Sequence, residues 1–240
     1  MQHVAKLTMA AIAVCAASDL AHAQSLPLID DFTTGPVLIN INGETQTHNV
    51  LKRTTQSGAN ILGGRRSVWV YLNLSGNTYL QNATFQIKPA TASSPAAAIA
   101  SEGFQTDIVP QLFYGIADGV GTQSLHADLT VYDRIRVTFA GISQGAQFVP
   151  EAWSGSNSTL WSCGLGQSLV GETVDVPLAN GGINTGSGAN FAAIDGLFFE
   201  WENYGVEGND LAITRIEMEP AGTPPADFTC PPYQAAQRKG

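Results

Sequence analysis

Ser57-Gly58-Ala59-Asn60-Ile61-Leu62-Gly63-Gly64-Arg65-Arg66-Ser67-Val68-Trp69-Val70-Tyr71-Leu72-Asn73-Leu74 is the stretch on which the fold turns. Gly58, Gly63 and Gly64 bend the chain, and an alternating run follows Arg65 and Arg66. Val68, Val70, Leu72 and Leu74 recur at a period of two and fall on one face of a strand, with Trp69, Tyr71 and Asn73 on the other. The pattern predicts a turn feeding a strand that is buried on one side and usable on the other.

Outward from that stretch the same punctuation repeats. Strands are expected over 29–32, 37–41, 79–87, 111–117, 128–140, 147–153, 159–163, 173–178, 194–203 and 211–218, with Gly, Asn and Pro between them. Residues 43–60 are polar and predict a connection. Residues 88–101, rich in Ala, Ser and Pro, predict a loop with at most one helical turn over 96–100. Short strands with turn signals and no amphipathic helix define an all-β fold, a two-sheet antiparallel jelly-roll β-sandwich. From Glu219 on, Pro220, Pro224, Pro225, Pro231 and Pro232 argue against regular structure. The expected organisation is therefore a leader over 1–23, one sandwich domain over 24–218 and a Pro-rich strap or linker over 219–240.

The leader has the form of a secretory signal: Lys6, an apolar run over 7–17, and Ala21-His22-Ala23 as a small-x-small cleavage pattern before Gln24. The apolar run is shorter than the ~20 residues needed to cross a bilayer, so no membrane span is expected. Val14 before Cys15 is bulkier than the small residue of a lipid-attachment site, which favours ordinary cleavage. Secretion, to the periplasm, the medium or the cell surface, is the expectation. The 240 residues carry 11 basic and 20 acidic side chains, a net charge of −9. Phosphate binding needs clustered Lys and Arg, so nucleic acid is an unsuitable partner, and a neutral sugar or a cation suits the charge better. Only Lys52-Arg53, Arg65-Arg66 and Arg238-Lys239 are adjacent basic pairs.

Past the leader two cysteines remain, Cys163 and Cys230. An even pair in an exported chain predicts a disulfide rather than a metal site.

Ile29-Asp30-Asp31-Phe32, Ile61-Leu62-Gly63-Gly64-Arg65-Arg66, Asp128-Leu129 with Tyr132-Asp133-Arg134-Ile135-Arg136-Val137, Val176-Pro177-Leu178, Ile194-Asp195-Gly196-Leu197 and Asp210-Leu211-Ala212-Ile213, in this order, resemble bacterial exported jelly-roll proteins of the galactose-binding-like superfamily, which includes many carbohydrate-binding modules. The resemblance implies the sandwich and a structural calcium between the first and last strands. Thr214 and Arg215 stand where that pattern carries acids, so a calcium site here would draw on Asp30, Asp31, Asp210 and Glu217. No other cofactor is expected.

Gly141-Ile142-Ser143-Gln144-Gly145 matches a nucleophile elbow, but no helix follows, and His48 and His126 both precede the serine. A hairpin loop is the expectation. Gly181-Gly182-Ile183-Asn184-Thr185-Gly186-Ser187-Gly188 lacks the lysine of a phosphate loop. Glu200 and Glu202 share a strand face opposite Leu197, Phe199 and Trp201, roughly 6 to 7 Å apart, and two neighbours on one strand flank a scissile bond poorly. Among the aromatic residues, Trp69, Tyr71, Trp153, Trp161 and Tyr204 are candidates for stacking on sugar rings. The expectation is a non-catalytic module that binds a polysaccharide or other glycan, with Trp69 and Tyr71 as stacking residues and Glu200 and Glu202 accepting hydroxyl hydrogen bonds. A structural or adhesive matrix protein and a glycan-cleaving enzyme are the alternatives.

Overall fold

The computed structural model describes residues 28–42, 49–73, 82–103, 106–143, 145–165, 169–179, 182–202 and 210–230. The leader over 1–23, Leu74, the start of the strand expected at 79, Tyr204 and residues 231–240 lie outside them. Among the described residues sixteen strands follow one another: β1 (Leu28–Asp30), β2 (Val37–Asn42), β3 (Val50–Ser57), β4 (Arg65–Asn73), β5 (Asn82–Lys88), β6 (Ala97–Glu102), β7 (Asp107–Gly115), β8 (Tyr132–Ile142), β9 (Ala146–Ser154), β10 (Asn157–Leu160), β11 (Cys163–Leu165), β12 (Thr173–Pro177), β13 (Ile183–Thr185), β14 (Gly196–Glu202), β15 (Asp210–Pro220) and β16 (Phe228–Thr229). A 3-10 turn, Leu62–Gly64, precedes β4. Among the described residues no helix is long and apolar enough to cross a membrane.

The strands form two sheets. The first runs β16-β12-β8-β15-β6-β5-β2 with β1 also on β15, and the second runs β13-β10-β9-β14-β7-β4-β3 with β11 on β9. Neighbours are antiparallel except β12 and β16. The expected two-sheet sandwich is the observed one.

Alternation builds the core. Val68, Val70 and Leu72 are fully buried, and they face Ile39, Ile41, Phe85, Ile135, Val137, Phe139, Ile213 and Ile216 of the first sheet within one apolar cluster. Burying side chains of this size contributes roughly 1.5 to 3 kcal/mol each. One aromatic pair bridges the layers, Phe148 of the second sheet lying 6.2 Å from Phe139 of the first, while Phe148 also lies 5.4 Å from Trp201, and Tyr114 5.8 Å from Phe199, within the second sheet.

Three expectations need correction. Residues 50–57 form β3 because backbone bonds to β4 along the whole strand hold an edge whose side chains mostly face solvent; with little to bury, such a strand shows no apolar period. Residues 97–102 form β6, central between β5 and β15; tertiary pairing overrides the helical preference of Ala97, Ala98 and Ala100. β8, which includes Gly141 and Ile142, lies in the first sheet and β9, beginning at Ala146, in the second, so the two strands do not form the expected hairpin. β15 runs on to Pro220, and the described residues after it lie against the first sheet: β16 pairs with β12, Arg136 donates to Pro224 O at 2.7 Å, and Ala226 N donates to Asp175 at 2.8 Å.

The two flanks of the sandwich differ. On one, Cys163 beside β9 and Cys230 beside β12 form the expected disulfide and stitch sheet to sheet. On the other, the edge strands β2 and β3 lie side by side with no covalent tie, and Lys52 Nζ reaches across to Asn40 O at 2.5 Å.

Candidate functional site

Antiparallel register assembles a row of side chains on the outer face of the second sheet. Arg53 is opposite Trp69, Trp69 opposite Gln111, and Gln111 opposite Glu200. Three strand spacings make the row about 14 Å long. Trp69 is half-buried, as is Glu200, whose Oε2 accepts from Gln111 Nε2 at 2.7 Å. The Arg53 guanidinium lies 5.8 Å over the Trp69 ring. One residue pair along, Tyr71 is half-buried and its hydroxyl accepts from Asn49 Nδ2. An aromatic plate beside a coupled amide and carboxylate offers stacking, a donor and an acceptor within one line.

The expected alternation around Glu200 holds, with Leu197, Phe199 and Trp201 buried on the opposite face. Glu202 pairs through its backbone with Gln147, and its side chain lies outside what is described. Trp161 is core, packed 6.2 Å from Phe191.

The other end of the same face is covered. Trp69, Phe113 and Phe198 follow one another at 5.0 and 4.8 Å between ring centroids, and Trp153, Ala117 and Val120 pack against them. The loop carrying Ala117 and Val120 lies flat on the sheet because Gly121 and Gly196 have no Cβ: at Gly121 one would collide with Gly115 O and at Gly196 with Ile116 O. Gly121 also holds a φ of 103°, which a side chain would strain. Glu151, diagonal to Glu200 on the next strand, is only 9% exposed. Burial pushes its carboxyl up; the polar groups of Ser158 and Trp153 pull it back, and Asp118 adds to the rise.

Gln111 and Glu151 are the site residues that sequence reasoning missed. Neither has a local signature, and only the register between distant strands brings them to this face.

The four acids expected to hold calcium do not come together. Asp30 is buried in an ion pair with Arg66 at 2.5 Å and also accepts from Tyr114 Oη at 2.8 Å and Phe32 N at 2.8 Å. Asp31 closes a surface turn with Thr33 and Asn60. Glu217 pairs with Arg215 at 2.7 Å, and Asp210 stands seven residues away along β15, roughly 23 Å at strand rise. Among the described residues no group of three or more His, Cys, Asp or Glu is placed to hold a metal.

Two serine constellations are structural. Ser143 Oγ accepts from Asp210 N at 2.8 Å, and among the described residues β9, not a helix, comes next. Ser124 Oγ lies 3.2 Å from His126 Nδ1 and donates to Asp195. The serine there sits between acid and imidazole, whereas activation needs the imidazole in the middle. The Ser124 hydroxyl and the Gly155 N–H hold the Asp195 carboxyl below the usual carboxylate range.

The fold and this face define a jelly-roll type β-sandwich with a mixed aromatic and polar sheet surface. No protein-family model matches the chain, and no curated protein shows significant similarity to it. Among solved structures, the chain is similar to the carbohydrate-binding module CtCBM11, at 10% identity over 83% of this chain and 98% of that one, with a TM-score of 0.42. A family 11 carbohydrate-binding module from Clostridium thermocellum, solved with a mixed-linked β-1,3-1,4 tetrasaccharide, aligns at 12% identity over 77% and 96% of the two chains, TM-score 0.38. A family 12 xyloglucanase from Bacillus licheniformis aligns at 10% identity over 76% and 99%, TM-score 0.37. The likeness is one of overall architecture, and the case for a ligand rests on the chain's own residues.

Proposed function

We propose that the protein is an exported, non-catalytic module that binds carbohydrate on the outer face of its second sheet. The observation that carries this is the row of Trp69, Gln111 and Glu200 on three adjacent strands, with a 2.7 Å hydrogen bond presetting the amide and the acid beside the ring. A pyranose has a flat C–H face for the indole and hydroxyls that both donate and accept, so it uses all three groups. Tyr71 extends the surface along the strand. Export is supported by the form of residues 1–23 and by the disulfide, which persists in oxidising compartments. Titration of the protein with a panel of soluble oligosaccharides tests the function. Binding should be detected, and Trp69→Ala should weaken it at least about tenfold, as loss of a buried aromatic anchor does. No binding across the panel refutes the proposal.

One observation favours a second reading, glycan hydrolysis. Glu151, with its carboxyl raised by burial, is diagonal to Glu200 on the adjacent strand, and glycosidases pair a protonated acid with an ionised one. Release of reducing ends from a glycan that binds, abolished by Glu151→Gln, would establish it; binding without release would eliminate it.

A further inference from the structure

Between the edge strands β2 and β3 the sandwich leaves a groove of roughly 560 Å³, lined by Leu38, Asn40, Lys52, Arg53, Thr55 and Gln56 among others. Among the described residues no acidic side chain lines it. In a chain of net charge −9 this is a local reversal of sign. Arg66, Arg134, Arg136 and Arg215 each pair with a carboxylate, while among the described residues neither Lys52 nor Arg53 does. Leu38 on the rim is 64% exposed. The groove is continuous with the sugar face, because Arg53 both lines it and lies over the Trp69 ring.

We propose that the glycan bound here is acidic, a polysaccharide carrying uronate carboxylates. This rests on the carbohydrate reading above and names the class of ligand. Arg53, with its guanidinium carbon 5.8 Å from the centre of the Trp69 ring, carries a planar N–H fork that matches a carboxylate in two parallel hydrogen bonds. Lys52 uses one of its three donors on Asn40 O and can offer the others to a second acid along the groove. A sugar ring stacked at Trp69 then places its carboxylate against Arg53, and the next residues of the polymer run past Gln56 and Leu38. Glu200 does not oppose this. It stands three strands from Arg53, about 14 Å, beyond the Debye length of about 8 Å at physiological salt.

The test compares oligogalacturonate with its carboxyl-reduced, neutral counterpart by calorimetric titration at low and high salt. The acid form should bind about tenfold tighter at low salt, the worth of one charge-assisted pair. That ratio should fall towards one at high salt and in Arg53→Gln and Lys52→Gln, and Arg53→Glu should invert it. Equal binding of both forms, or tighter binding of the neutral one, overturns the proposal and leaves the carbohydrate reading standing. A polyglutamate peptide that binds as tightly as the uronate also overturns it, because the groove then recognises charge on any extended chain. If no glycan of either kind binds, both readings fall together.

Discussion

Removing the covalent tie between Cys163 and Cys230 should cost about 4 kcal/mol. The two residues are 67 apart. In the chain-entropy model a loop of this size withholds about 15 cal/mol/K from the unfolded ensemble, which at 25 °C amounts to about 4 kcal/mol. For a domain of this length each kcal/mol moves the melting temperature by about 2 to 4 °C, so a drop of roughly 8 to 16 °C is expected. The folded tail itself should stay in place, because Cys230 N donates to Asp175 O at 2.8 Å and Thr173 N to Asp227 at 3.0 Å without help from sulfur. The assay is urea unfolding of three forms: oxidised, chemically reduced, and Cys163→Ala/Cys230→Ala. Reduction removes the cross-link with both sulfur atoms still in the core, so it isolates the loop term; the double substitution adds the loss of two buried Sγ atoms. The slope of free energy against urea should also rise, since an uncrosslinked chain exposes more surface on unfolding. A loss below about 1 kcal/mol in the reduced form, with an unchanged slope, would refute the reasoning, for the cross-link would then leave the unfolded chain as free as before.

Arg66→Met should destabilise by about 3 to 5 kcal/mol, because it leaves the Asp30 carboxylate buried without its cation, whereas Arg66→Met/Asp30→Leu should recover a large part of that loss; urea melts showing the double variant no better than the single would count against a buried-charge origin. Glu151→Gln should stabilise at neutral pH. The folded carboxyl is raised above its unfolded value of about 4.3, so its ionised form is disfavoured by the fold above the folded pKa, and the benefit of the amide should fade as pH falls through that pKa towards the unfolded one. Unfolding midpoints at pH 8 and pH 4 check this, and a gain independent of pH would contradict it.

Much of the fold is legible in the chain because its central strands bury one face and expose the other. The period of two over 68–72 and 135–139 is the direct imprint of that geometry, and both stretches are core on the expected side. Legibility fails where burial does not control composition. β3 presents both faces to polar surroundings and leaves no period, and β6 uses alanines whose small size suits a crowded central position but whose propensity points to helix. The prolines after Glu219 obstruct one hydrogen bond each, yet the segment gains its order from side chains of the first sheet: Arg136 and Asp175 supply the partners its backbone lacks.

The candidate site was half legible for the same kind of reason. Trp69 and Tyr71 sit opposite an apolar stripe, so local alternation alone puts them on the open face. Asp30 is paired with Arg66 because Arg66 is on the stripe side of its strand, where an unpaired guanidinium could not remain; the chain brings the acid to it across 36 positions. Gln111 and Glu151 are ordinary residues in their own segments. They reach the face only because β7 and β9 both pair with β14, a relation set by core packing far from either side chain. One of the chain's three adjacent basic pairs, Lys52 next to Arg53, becomes meaningful when β3 is placed at an edge. On a central strand the two cations would face opposite sides of a sheet and never share a ligand; beside β2, Lys52 lies along the rim and Arg53 at its mouth, so one extended acidic polymer can meet both.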